Sequence, residues 1–197
     1  MFDPQIPINK QLEYWPDTAH IAVASLIPYI QKLDKVEVTC ELGIWTGCST
    51  IYLLDNFASI KRHVCADPYL TYTDSPGAAA PQSVYDEFFQ TWLANRSLHD
   101  NRIEFHKTPS SDLAPVLEDD LFDFIFVDGD HSREGVYRDL SLYYPKVRSG
   151  GIIAGHDWES QGWFGVQEGV LDFMKTIPES QQNFEVVPKG DCFVIYK

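Results

Sequence analysis

Apolar and polar residues alternate over 36–42: Val36, Val38, Cys40 and Leu42 are separated by Glu37, Thr39 and Glu41. A period of two with β-branched members predicts a strand. Gly43 breaks it, Gly47 follows, and Ser49 and Thr50 offer caps for a helix with Ile51, Leu54 and Ala58 on one face. A second apolar stretch, 63–66, ends in Asp67 and Pro68, and RIEFHKT reads as a third strand. Between them Val84, Phe88 and Trp92 form one helical stripe with Tyr85, Phe89 and Leu93 beside it, the spacing of a packed helix. Ser110 or Ser111 caps a short helix ending near Glu118.

Residues 124–127 form a continuous apolar run, as expected of a strand covered on both faces. Ser132 or Asp130 then caps a helix turning Val136, Leu140 and Tyr143 or Tyr144 inward. Gly150 and Gly151 precede another buried strand at 152–154, and a helix runs to about Ile177. FEVVP and DCFVIYK, parted by Lys189 and Gly190, read as a hairpin, an antiparallel edge on a parallel sheet. Strands alternating with helices in this way predict a doubly wound, Rossmann-like α/β fold. Ahead of it, residues 1–35 read as an arm and helix packed on a 36–197 domain. Tyr14 and Trp15 anchor the arm, Asp17 or Thr18 caps the helix, and Val23, Ile27 and Ile30 recur along it, with Pro28 bending it. His20, at its start, reads as solvated or capping.

The chain of 197 residues is long enough for one core, burying roughly 70% of its unfolded surface. No apolar run approaches the roughly 20 residues that cross a bilayer, and MFDPQIPINK lacks the layout of a signal peptide. These features point to a cytoplasmic protein without a membrane partner. The formal charge of −14 repels phosphate backbones and argues against nucleic acid as a partner. Cys40, Cys48, Cys65 and Cys192 have neither zinc-ligand nor redox-pair spacing and read as buried thiols. Oligomeric state stays open, a homo-oligomer included.

The candidate chemistry lies at the strand ends. Gly43 and Gly47 are spaced G-x-x-x-G, which matches neither the dinucleotide fingerprint nor the phosphate loop, so pyrophosphate is not the favoured ligand. A turn from strand to helix in an open parallel sheet approaches bound ligands closely, and glycine leaves room for them. Asp67, about twenty residues on, stands where a carboxylate can accept from the two hydroxyls of a ribose. The run 124–127 ends in Asp128, Gly129, Asp130 and His131, and the next strand in Gly155, His156, Asp157 and Trp158. Crowded carboxylates call for a cation or a proton. Asp128, Asp157 and Asp130 suit Mg²⁺, while His131 and His156 move the preference toward Mn²⁺ or another transition metal. Residues 70–81 are long and mixed for a connection and read as a lid. Tyr69, Tyr72, Trp158 and Trp163 are candidates to stack on an acceptor ring.

Four blocks, ELGIWTGCST, DPY, FVDGDHSREGV and GGIIAGHDW, occur in order. With them the chain resembles the class I S-adenosylmethionine-dependent methyltransferases, and within these the small O-methyltransferases with the F-V-D-G-D-H-S block, of macrolide-sugar and catechol type. The resemblance implies a seven-stranded sheet with an antiparallel final hairpin. It implies a cofactor, S-adenosylmethionine, cradled by Glu41, Gly43, Gly47, Ser49 and Asp128, with Asp67 on the ribose and Ser110, Ser111 or Asp112 near the adenine. It implies Mg²⁺ or Mn²⁺ at Asp128, His156 and Asp157 beside a small-molecule hydroxyl, with His131 where catechol-type relatives carry a basic residue. His131 or His156 is then the base. Two departures stand out: Trp45 replaces a glycine common in the wider superfamily, and His156–Asp157 replaces Asp-Asn. The same residues leave two alternatives, a tailoring hydroxylase with iron at His131, His156 and Asp128, or a non-catalytic protein that binds the cofactor.

Overall fold

A computed structural model of the protein describes residues 21–71, 81–97, 99, 101–159, 164–187 and 189–197, without the side chain of Phe164. The expectations for Tyr14, Trp15, Asp17, Thr18, His20, Tyr72, Trp163 and most of the lid segment lie outside the described residues. The elements are α1 (Ile21–Ile30), β1 (Val38–Leu42), α2 (Cys48–Asn56), β2 (Arg62–Ala66), α3 (Gln82–Arg96), β3 (Ile103–His106), α4 (Ser110–Leu113), β4 (Phe122–Val127), α5 (Arg133–Tyr143), β5 (Val147–Gly155), α6 (Phe164–Met174), β6 (Phe184–Val187) and β7 (Cys192–Tyr196).

The seven strands lie in the order β3-β2-β1-β4-β5-β7-β6. The first five are parallel and β7 runs antiparallel to both β5 and β6, as the hairpin signal predicts. β4 is buried at every position, which explains the apolar run at 124–127. Because side chains alternate across a strand, Phe124 and Phe126 face one side, under Leu26 of α1 and Leu53 of α2. Ile125 and Val127 face the other, under Leu140 of α5 and Val170 of α6. The sheet is thus covered on both faces.

One polar residue interrupts β4. Asp123 is fully buried and accepts hydrogen bonds from the amides of Glu37 (2.7 Å) and Val38 (2.9 Å) and from Arg148 Nε (2.6 Å). Burial pushes its carboxyl up, but the Arg148 guanidinium and the two amides outweigh that and hold it below the ordinary value. This carboxylate ties the lower ends of β1, β4 and β5 together, away from the strand ends that carry the site.

Several boundaries differ from the sequence pattern. Ser49 and Thr50 do not cap α2: Gly47, at φ 81, is its N-cap without a side-chain hydrogen bond. The helix stops at Asn56, and its buried positions are Ser49, Thr50, Leu53 and Leu54 rather than Ile51 and Ala58. In α1 the buried side is Ala22, Val23, Leu26 and Ile30, with Pro28 inside the helix on its exposed side. α4 has only four residues, and its N-cap is Pro109 rather than a serine. β5 begins at Val147 because the pairing with β4 continues past an irregularity, with Gly150 turning at φ 76.

Candidate functional site

The strand order reverses between β1 and β4, whose neighbouring carboxyl ends open the crevice where open α/β sheets bind ligands. The turn leaving β1 runs through left-handed residues, Gly43 (φ 82), Trp45 (φ 51) and Gly47 (φ 81). Both glycines are required by their protein neighbours. A Cβ on Gly43 would lie 2.1 Å from the Asp128 carbonyl oxygen, and one on Gly47 would lie 2.3 Å from the Trp92 ring. The turn is therefore pressed against the end of β4 on one side and seated on α3 on the other. Trp45 keeps the left-handed conformation that glycine adopts freely. Its carbonyl accepts from the Tyr69 hydroxyl (2.7 Å) and its ring packs edge-on against Phe88.

Glu41, next to last in β1, is only 1% exposed. Its carboxylate accepts from the hydroxyls of Ser49 and Thr50, and His63 Nε2 lies 3.4 Å away. The His63 Nδ1 is bonded in turn to the Thr39 hydroxyl at 2.8 Å. The structure thus turns Glu41 and Ser49 inward, where they pin the first turn of α2 to β1. A buried carboxylate needs such donors, and two hydroxyls one helical turn from the strand supply them.

Asp67 follows β2 and reaches across to the glycine turn. Its Oδ2 accepts from the amides of Ile44 (2.8 Å) and Trp45 (3.1 Å), and its Oδ1 from that of Tyr69 (2.7 Å). Burial pushes its carboxyl up, and the three amides offset this only in part. A carboxylate has about four acceptor positions, so Asp67 has room for one further donor.

At the end of β3, the Ser110 hydroxyl donates to Asp139 of α5 at 2.7 Å. Ser111 lies beside Asp112, with Oγ 3.4 Å from its carboxylate. Asp139 is 1% exposed, and burial pushes its carboxyl from 3.8 up to about 6, against the pull of Ser110 and Arg138. The folded protein therefore binds this proton more tightly than the unfolded chain. The contribution to stability is complete below pH 3.8 and is lost as pH rises through about 6. Asp139→Asn keeps an acceptor for Ser110 and removes the charge. Urea unfolding should find it more stable than the parent at pH 7.5, by up to about 3 kcal/mol, with the advantage vanishing toward pH 4. An unchanged difference at the two pH values would refute that account.

The turns after β4 and β5 bring four titratable side chains together. His131 Nε2 lies 2.9 Å from Asp157 Oδ2 and 3.3 Å from Asp128 Oδ1. His156 Nδ1 is 3.4 Å from Asp157 and 3.7 Å from Asp128. Asp128, His131 and Asp157 offer one ligand atom each, all within 4.8 Å of one another. His156, Asp157 and Asp191 satisfy the same criterion. Burial pushes Asp128 and Asp157 up, but hydrogen bonds and charge from both imidazoles outweigh it and hold the carboxyls low. Burial draws His156 down, and the two carboxylates override it, raising the imidazole to about 10. With no cation present, the two carboxylates thus favour the protonated form of His156.

Two hard oxygens and one imidazole nitrogen suit a divalent cation, Mn²⁺ better than Mg²⁺. The converging set holds two carboxylates and one imidazole, not the two imidazoles and one carboxylate of an iron oxygenase. Asp130 is not part of it. Its oxygens accept from the Ser132 amide (3.0 Å) and from Arg138 (3.2 Å), while Ser132 caps α5 as expected.

Two of the stacking candidates are packing residues. Tyr69 is 1% exposed, beside Phe89 and Phe105, and Trp158 is 7% exposed, between Phe184 and Phe193. Cys40, Cys65 and Cys192 are buried thiols, and Cys48 is half-buried at the start of α2. Sequence reasoning passed over His63, Asp139 and Asp191. For Asp191 a signal existed in its place after Gly190 in the hairpin turn. For the other two the burial becomes visible only once strands and helices are assembled. Among the described residues, no helix is long and apolar enough to cross a membrane.

A family model described as a methyltransferase domain matches residues 40–158. The uncharacterized protein R132 of Acanthamoeba polyphaga mimivirus is 34% identical over 151 residues, 74% of this chain and 63% of that protein, so the match spans less than two thirds of the relative. The calicheamicin methyltransferase CalS11 superposes with a TM-score of 0.66 over 98% of this chain and 87% of that one, at 14% identity. An O-methyltransferase from Bacillus cereus, solved in complex with SAH, gives 0.62 over 99% and 94%, at 17% identity. At such identities these two likenesses are likenesses of fold. The family match rests on sequence, and it runs from within β1 through the turn that carries His156 and Asp157. By that match, over more than half its length, the chain belongs to the methyltransferase-domain family.

Proposed function

We propose that the protein is an S-adenosylmethionine-dependent O-methyltransferase of the small F-V-D-G-D-H-S type. Its acceptor is the hydroxyl of a small molecule, a sugar or a phenol, and a divalent cation is held by Asp128, His131 and Asp157. The observation that carries this reading is the convergence of those three side chains next to the glycine turn, at the sheet's switch point. The likeness to the SAH-bound O-methyltransferase supports the choice of cofactor. The donor set supports the cation.

When bound, S-adenosylmethionine supplies an electrophilic methyl group, and a cation lowers the pKa of an acceptor hydroxyl by stabilising its oxyanion. The remaining work falls to the chain. Asp67, with one acceptor position free, takes a ribose hydroxyl, and its bonds to Ile44 and Trp45 hold the glycine turn in shape for the nucleoside. Ser110 is committed to Asp139, so the adenine side falls to Ser111 and Asp112. The acceptor must be aligned with the methyl group and lose a proton. His131 Nε2 is a ligand in this set, so His156, whose Nδ1 lies 3.4 Å from Asp157, is the imidazole left to take that proton once a cation has neutralised the two carboxylates.

The test is calorimetric titration with S-adenosylmethionine and SAH, with and without Mn²⁺ or Mg²⁺, followed by a panel of phenols and sugars. Micromolar binding of SAH is expected. Asp67→Ala should weaken it at least about tenfold, as loss of a hydrogen bond to a charged group costs about 1.5–3 kcal/mol. Absence of SAH binding under every condition would overturn the reading.

A further inference from the structure

Asp157 sits at φ 58, a left-handed conformation that residues with a side chain seldom adopt. The residues on either side of it are anchored. The His156 amide donates to the Val127 carbonyl at 3.3 Å, tying one flank to the end of β4. On the other flank, the Trp158 amide donates to the Asp191 carbonyl at 3.0 Å and the Glu159 amide donates to Asp191 Oδ1. The Trp158 ring is buried against Phe184 of β6 and Phe193 of β7. The β6–β7 hairpin therefore grips the segment that follows Asp157, its turn by two hydrogen bonds and its strands by two ring contacts.

That turn is itself fixed. Asp191 stands at φ 53 after Gly190 at φ 95, and a Cβ on Gly190 would lie 2.3 Å from Ser25 Oγ of α1. The carboxylate of Asp191 also lies within 4.8 Å of ligand atoms on His156 and Asp157.

We propose that Asp191 is a positioning residue: by accepting from the amides of Trp158 and Glu159 it holds Asp157 in the left-handed conformation that brings its carboxylate to His131. A strained conformation persists only where its surroundings over-determine it. Asp191 supplies the half of that constraint which does not come from the parallel sheet. Its relevance to turnover rests on the cation-assisted reading above. The geometric claim stands apart from it.

Three proteins, the parent, Asp191→Gly and Asp191→Asn, separate the possibilities. Glycine keeps the left-handed turn and the carbonyl but loses the acceptor for Glu159. Asparagine keeps both and loses only the charge. Mn²⁺ affinity is followed by electron paramagnetic resonance, and the amide signals of 157–159 by NMR. Asp191→Gly should weaken Mn²⁺ binding about tenfold or more, as losses of supporting hydrogen bonds around metal ligands do, and should shift those amides. Asp191→Asn should stay within about threefold of the parent, by the same comparison.

Unshifted amides in Asp191→Gly would overturn the proposal. So would an Asp191→Asn protein as weak as Asp191→Gly, since charge or direct ligation would then be the cause. If the parent itself binds no Mn²⁺, the cation reading fails while the amide shifts still decide the role of Asp191. Should Asp191→Gly fail to fold, hydrogen exchange in the parent decides: protected amides at Trp158 and Glu159 are expected, and free exchange there would overturn the clasp.

Discussion

Alanine at position 128 is expected to lower methyl transfer on the order of 10³-fold while SAH affinity stays within severalfold. Asp128 and Asp157 are the two carboxylates on which both imidazoles converge, and Asp128 stands at the end of β4, next to the glycine turn. Removing it deletes one of three convergent ligand atoms and leaves the contacts of Asp67 untouched. Chemistry should therefore fail before cofactor binding does. The measurement is turnover of any acceptor found in the panel, paired with SAH calorimetry on the same preparation. Turnover within tenfold of the parent would sink the cluster-centred mechanism, and lost SAH binding would move Asp128 into the cofactor site.

The second large effect is structural. Gly43→Ala should destabilise the fold by about 4 kcal/mol or more, since backbone must move to admit a methyl group and the residue is left in a left-handed conformation. The added Cβ would meet the Asp128 carbonyl oxygen at 2.1 Å and the Gly129 Cα at 2.7 Å. Gly150→Ala is the control, with a similar φ of 76 but only the flexible end of Arg148 nearby, at 3.3 Å. There the conformation alone is penalised, at roughly 1 kcal/mol. Chemical denaturation of the two variants separates strain from collision. Equal losses would mean that the close approach at Gly43 contributes nothing.

The parallel sheet was legible because each central strand is buried on both faces and ends where polar residues begin. The run 124–127 followed by Asp128 and His131, and the run ending in Gly155 followed by His156 and Asp157, show this directly. Those four side chains were readable as a cluster for the same reason: adjacent parallel strands open at one end of the sheet. The glycines were legible in the sequence, but the protein neighbours that require them were not. A Cβ is forbidden there by Asp128 and Trp92, and sequence spacing does not say which part of the chain will press on a turn. Glu41 and Ser49 stood out for the same turn, yet their hydrogen bonds to each other close across it, a contact set by how α2 lies on β1. Asp139 looks like any polar position of an amphipathic helix until Ser110 and α5 are packed together. Tyr69 and Trp158 illustrate the converse: aromatic residues in loops look available for stacking, and here they fill space between elements.

The contact between Gly43 and Asp128 also bears on how such a protein can diverge. The two turns come from strands more than eighty residues apart in the chain, yet their backbones leave no room between them. A lineage can exchange the side chain at 128 for another without moving the main chain, and with it the chemistry at that strand end. Position 43 has no such freedom, because any side chain there displaces its neighbour's backbone. Novelty in the reaction can therefore arise on the β4 side, while the β1 side stays chemically mute and carries the geometric memory of the fold.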